Sequence, residues 1–153
     1  MAELDASVHS EIQTICRNAD KLADRGYFQD ALTQYWKAYD MVPEPKADWE
    51  AALWILVAIG DANFLGNDFH AGIDNLNAAM HYPEALGNAF IHLRLGQCYF
   101  EISNFDKAAD ELTRAYAIEG EDIFKGENHK YFNFLKSRII IEKKKPWWRF
   151  GKG

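Results

Sequence analysis

Five histidines, His9, His70, His81, His92 and His129, are the residues of this chain best suited to holding a metal or moving a proton, and their spacing serves neither task. A zinc site on one helix needs imidazoles at HxxxH or HExxH spacing so that they converge, and no such pair occurs. His92 falls in a helical stretch and reads as a packed or partly exposed histidine. Nucleophilic catalysis has no better footing, because the chain has four serines and none lies in GxSxG. Gly120 to Gly126 is not followed by Lys-Ser/Thr, so no phosphate loop is expected. The carboxylate pairs Asp110-Glu111 and Glu121-Asp122 are sequence neighbours, which point in different directions on a helix and cannot share a substrate proton. Solvated faces and helix starts account for them. Cys16 and Cys98 form no CxxC pair and read as free thiols of a reducing compartment. The residue types therefore lead to an expectation of no catalytic residues, no metal and no cofactor, a chain that is not an enzyme.

A chain of 153 residues, 48% hydrophobic and 26% charged, can bury the core of one domain. The longest apolar run, Ala51 to Gly60, falls far short of the roughly 20 residues that span a bilayer. The opening MAELDASVHSE is acidic and lacks the pattern of a secretory signal, so cytoplasm is the expected location. Net charge is −6, yet Lys143, Lys144, Lys145, Arg149 and Lys152 crowd the last eleven residues. Without them 12 basic residues face 23 acidic ones, or −11 for residues 1–142. Such a body disfavours nucleic acid, whose phosphates need basic surface. It suits a protein partner with basic flanks, drawn in by electrostatic steering.

The organising signal is a repeat. Phe28, Ala31, Tyr35 and Ala38 recur as Phe69, Gly72, Leu76 and Ala79, and again as Phe105, Ala108, Leu112 and Ala115, with steps of 41 and then 36 residues in every column. Spacings of three and four put each set on one helical face, and its small residues let a second helix approach closely. That partner helix lies upstream: Ile15, Ala19 and Leu22 within 10–24, then Leu56 to Gly60, then Leu95-Gly96 to Tyr99-Phe100 within 89–102. Arg25-Gly26-Tyr27, Gly66-Asn67-Asp68 and Ser103-Asn104 read as the turns inside each pair. Pro43, Pro45, Pro83 and Gly120 punctuate the boundaries between pairs.

Leu95-Gly96-x-x-Tyr99 followed by Phe105, Ala108, Leu112 and Ala115 resembles the tetratricopeptide repeat, a helix–turn–helix unit of about 34 residues. The resemblance covers about residues 12–120, as repeats at 12–45, 53–86 and 89–120. The steps exceed the family length by 7 and 2, with the larger insertion at 43–49, PEPKADW. Asn63 and His92 depart from the family's usual aromatics. The resemblance implies an all-α, right-handed stack of three helix pairs. A further helix over 121–145, with Ile123, Phe124, Tyr131, Phe132, Leu135 and Ile139 as its apolar stripe, is expected to cap it, because a stack of pairs leaves an apolar end.

In this family the first helix of each pair lines a concave surface. The matching positions are Gln13, Cys16, Asp20, Ala23 and Asp24, then Trp54, Val57, Asp61, Phe64 and Leu65, then Phe90, Leu93, Gln97, Phe100 and Glu101. Aromatic anchors ringed by Asp20, Asp24, Asp61 and Glu101 would suit an apolar ridge with basic flanks; the competing reading makes some of these side chains core between pairs. The clamp of Lys and Asn with which chaperone-docking members hold a terminal carboxylate has no counterpart here. The tail at 146–153, with Trp147, Trp148 and Phe150, either folds back on the acidic body or meets a membrane surface, and folding back is preferred.

With its run GENHKYFNFLKSRI, the whole chain is similar to small bacterial repeat proteins that accompany secreted toxins. That likeness implies an immunity protein that binds and occludes a toxin or effector domain, as a monomer or weak dimer. The alternative is an adaptor or secretion chaperone that holds a partner segment in its groove.

Overall fold

The computed structural model describes residues 4–139, and among them the chain is all-α. Seven helices follow in order: α1 (Ala6–Asp24), α2 (Phe28–Met41), α3 (Glu50–Leu65), α4 (Phe69–Ala79), α5 (Ala89–Glu101), α6 (Phe105–Glu119) and α7 (His129–Arg138). Short 3-10 turns at Lys46–Asp48, Pro83–Ala85 and Gly120–Phe124 join them. Each helix of α1 to α6 packs on its neighbours in the chain, most extensively within the pairs α1–α2, α3–α4 and α5–α6, and α3 also touches α5.

The turn inside each pair is built the same way. Gly26, Asn67 and Ser103 occupy equivalent positions and all take a left-handed backbone, with φ of 82°, 63° and 63°. The next amide then folds back onto the preceding helix: Tyr27 N donates to Leu22 O at 2.9 Å, Asp68 N to Asn63 O at 2.8 Å and Asn104 N to Tyr99 O at 2.9 Å. These bonds satisfy carbonyls that a helix end leaves without partners. Asp68 and Asn104 go on to cap the following helix, accepting from Ala71 N and Lys107 N. In the first pair Tyr27 holds that place without a side-chain cap.

Within the pairs, small residues set the distance. A Cβ added to Gly60 would lie 2.5 Å from Leu76 Cγ, and one added to Gly96 would lie 2.6 Å from Leu112 Cγ. Ala19, which matches Gly60 in the repeat register, is fully buried in the first pair. Gly72 works between pairs, where an added Cβ would meet Cys98 Sγ at 3.0 Å. The enlarged segment at 43–49 closes the end of α2: Lys46 Nζ donates to Val42 O at 2.6 Å and Tyr39 O at 3.0 Å. A cation there also meets the negative end of the helix dipole.

α5 is enclosed on every side, with Ile91 through Tyr99 buried without interruption. A single apolar stripe cannot serve a helix in that position, which explains why its sequence is apolar nearly all round. The segment after α6 corrects the expectation of one helix over 121–145. Gly120–Phe124 is a 3-10 turn, Gly126 takes φ 79°, and α7 starts only at His129, capped by Asn128, whose side chain accepts from Lys130 N at 2.9 Å. Glu121 and Asp122 therefore head the 3-10 turn and not α7. Residues 140–145 and the tail at 146–153 lie outside the described residues.

Two substitutions probe this framework. Gly96→Ala gains helix propensity but drives its methyl into Leu112, whose backbone N is only 3.1 Å from the new atom, so a net loss of about 1–3 kcal/mol is expected from urea unfolding. Ser103→Gly relieves a left-handed residue that bears a Cβ and should raise stability by up to about 1 kcal/mol in the same measurement.

Candidate functional site

Helices α1, α3 and α5 carry the fifteen positions expected to line a concave face, and the structure divides them. On α1, Gln13, Asp20 and Asp24 are exposed, while Cys16 and Ala23 are half-buried. On α3, Trp54 is 44% exposed and Leu65 42%, Asp61 and Phe64 are half-buried, and Val57 is buried. On α5, Leu93 and Gln97 are buried almost completely, and Phe90, Phe100 and Glu101 are half-buried. The α5 part of the face is therefore not open. Burial corrects the expectation for Val57, Leu93 and Gln97, none of which is open on this face.

The cover is α7 with the residues leading into it. Tyr131 sets its ring against Phe100 at 5.4 Å and Phe64 at 6.2 Å, and Phe134 meets Phe100 at 5.2 Å. Edge-on and tilted rings at these separations are favourable beyond the area they bury. Tyr131 also donates its hydroxyl to Glu101 Oε1 at 2.6 Å, and Lys130 Nζ pairs with the same oxygen at 2.5 Å. Burial pushes the Glu101 carboxyl up, but the two hydrogen bonds and the Lys130 charge outweigh it and hold the group below its ordinary value. Burial and the bond to Glu101 push the Tyr131 hydroxyl the other way, far up.

Beside this contact lies a buried ionic cluster that the sequence reading missed. Arg94 lies between the rings of Phe64 and Phe90, 4.8 Å from each centroid. Its Nε donates to Asp61 Oδ1 at 2.7 Å, and its Nη1 donates to Gln97 Oε1 at 2.7 Å and to Glu127 Oε1. Gln97 Nε2 completes the ring by donating to Glu127 at 3.0 Å. One guanidinium thus serves two carboxylates, from α3 and from the segment before α7. The signal was present in the sequence: a single arginine inside AFIHLRLGQCYF has to find an anion or leave the helix face.

The α1–α3 part is different. Tyr35, on α2, reaches between the inner helices and donates its hydroxyl to Asp20 Oδ1 at 2.5 Å. Burial and that bond push the hydroxyl well up, so it stays a donor. Trp54 Nε1 donates to Glu50 Oε1 at 3.1 Å, which satisfies the indole and leaves its ring facing outward. Burial raises the Cys16 thiol, with the Asp20 charge adding to it, which favours the protonated, less nucleophilic form. Burial lifts Cys98 to about 12, with the same consequence. Among the described residues no group of three or more His, Cys, Asp or Glu is placed to hold a metal. An open depression of about 560 Å³ lies elsewhere, between the Gly120–Phe124 turn and α7, lined by Lys125, Asn128, His129 and Phe132 among others.

His92 is buried and points away from this face. Its Nδ1 lies 2.7 Å from Glu111 Oε2 and its Nε2 3.3 Å from Leu86 O, so both ring nitrogens have acceptors. The Glu111 hydrogen bond raises its pKa above 6.5, burial works against that, and the Leu86 carbonyl adds to the rise. A raised folded value means that this pair stabilises the fold fully below pH about 6.5 and loses that contribution as pH climbs through the folded value. The urea midpoint should therefore fall between pH 6 and pH 8.5, and His92→Gln should flatten that fall.

The chain matches no protein-family model and no curated protein, so the arrangement of these side chains carries the functional reading.

Proposed function

We propose that this chain is a non-enzymatic protein-binding module, a tetratricopeptide-like stack whose open α1–α3 face receives the partner. The observation that carries this reading is Trp54. A large aromatic ring stands 44% exposed on an inner helix whose neighbours Leu53, Ile55, Leu56 and Val57 are all buried. Leu65 is likewise exposed at the far end of the same helix. Tryptophan in such a place is the side chain most often found to anchor an interface. The matching turns and matching glycine–leucine contacts of the pairs support the repeat reading.

The partner that fits best is a toxin or effector domain with basic flanks, bound and occluded by an immunity protein. Asp20 and Asp24, exposed on the last turns of α1, favour cations there. Occlusion needs only surface complementarity, which agrees with cysteines held as inert thiols and carboxylates tied up in structural pairs. An adaptor or secretion chaperone would use the same face for a partner segment and would differ in the partner's identity alone.

Co-purification with a toxin domain, together with rescue of cells that express that domain, is the direct test. Trp54→Ala should cost at least 2 kcal/mol of binding, about thirtyfold in Kd by calorimetry, with an unchanged urea midpoint. Full binding by Trp54→Ala would remove the α1–α3 face from consideration. Binding without rescue would move the chain from immunity to the adaptor reading.

A further inference from the structure

The depression of about 560 Å³ between the Gly120–Phe124 turn and α7 is lined by two aromatic rings, Phe124 and Phe132, with centroids 4.9 Å apart. Tyr116 stacks on Phe132 from one side, and Lys136 Nζ lies 4.9 Å over the same ring. Phe132 is nevertheless only half-buried. Asn128, His129 and Asn133 add groups that donate or accept along the wall. A flat apolar ring with one N–H donor, an indole, suits such a hollow.

The connection that forms one side of it is acidic. Glu119, Glu121 and Asp122 are all exposed, and Lys125 lies 3.0 Å from Asp122 Oδ1. Lys125 and Lys136 leave the hollow itself close to neutral, so its occupant needs an aromatic for the hollow and cations for the Glu119–Glu121 side. The chain carries that combination. Residues 143–153, KKKPWWRFGKG, hold five cations, no acidic side chain, and Trp147, Trp148 and Phe150. They also start from the right place. Arg138 Nη1, at the end of α7, lies 3.3 Å from Asp106 Oδ1, and Lys136 on the same turn already lines the hollow. The eight residues from Ile139 to Trp147 span up to about 26 Å when extended. The 10 residues of α7 rise only about 15 Å, so both tryptophans reach every part of the hollow.

We propose that residues 143–153 dock back on this hollow in the same molecule, with an indole of Trp147 or Trp148 against Phe132 and the lysines beside Glu119 and Glu121. Tethering places the segment at an effective concentration of about a millimolar, so a contact too weak to join separate molecules is occupied within one. Docking shields the half-exposed ring of Phe132 and takes the most concentrated positive charge of the chain away from outside acidic surfaces. The contact does not depend on what the α1–α3 face binds.

Amide magnetic-resonance spectra of the full chain read the contact directly. Trp147→Ala/Trp148→Ala should displace the signals of Phe124, Phe132 and Asn133, leave those of α1 to α4 in place, and speed hydrogen exchange over residues 129–138 about fivefold. Glu119→Lys/Glu121→Lys should displace the same signals, and adding Lys143→Glu/Lys144→Glu/Lys145→Glu to it should bring them back towards wild type. Unmoved signals at Phe124 and Phe132 in the tryptophan variant would overturn the docking, as would displacement around Trp54 in their place. Wild-type signals that drift to the variant positions on dilution would mean that the segment seats on a second copy, and would overturn the contact within one molecule. Wild type that pellets with phosphatidylserine vesicles while its Phe124 and Phe132 signals match those of the tryptophan variant would assign the segment to membranes and overturn the proposal.

Discussion

Everything in this fold depends on how closely paired helices approach at Gly60 and Gly96. With no side chain at those points, Leu76 and Leu112 press against bare backbone, and both leucines are fully buried as a result. Helix axes usually stand about 8–10 Å apart, and glycine at the crossing takes the lower end of that range. The short distance leaves no room for drift along the pair, so the turn at its end must close in one way. That constraint acts on Asn67 and Ser103, which share one backbone conformation although their side chains differ. Asn67 and Ser103 accept a conformation that costs them energy, and the tight pair behind them supplies the constraint.

Tight pairing in turn surrounds α5. Helices α4 and α6 pack against it in chain order, α3 touches it on the inner side, and α7 covers what remains. A helix so enclosed would ordinarily be apolar throughout, yet it carries His92, Arg94 and Gln97. Each is answered by a partner from a different direction: Glu111 on α6, Asp61 on α3, and Glu127 before α7. These ions add little net stability, since desolvation cancels most of their attraction. What they do is fix which neighbour lies on which side, because a shifted α6 or α7 would leave a buried charge unanswered.

Much of this was legible in the residues. The repeating columns of aromatic, small and apolar positions marked the helix pairs, and Gly60, Gly96, Ala31 and Ala108 were recognised as contact points because small size on an apolar face is a local signal. Two features were not read correctly. The apolar stripe from Glu121 onward predicts one helix, whereas Gly126 and Asn128 mark a break and a fresh cap. The position of α7 over α5 could not be read from its own sequence, since an amphipathic helix states only that it buries one face. The missing half of that statement was Arg94, which needed a carboxylate from outside its own helix and found one at Glu127, 33 residues downstream.

The same pairing changes what the acidic composition means. Residues 1–142 carry a large negative excess, but three of the carboxylates nearest the inner face, Asp61, Glu101 and Glu127, are bound to Arg94, Lys130 and Tyr131. Glu101 is balanced by Lys130, while Asp61 and Glu127 share the single charge of Arg94, so the field on the α5 side is reduced and not abolished. On α1, Asp20 accepts a hydrogen bond from the Tyr35 hydroxyl, and Asp24 is exposed beyond it. The exposed carboxylates thus lie on α1 and the exposed ring of Trp54 on α3, whereas at α5 the rings are covered. A basic partner steered by long-range charge would be delivered to the open half of the face first.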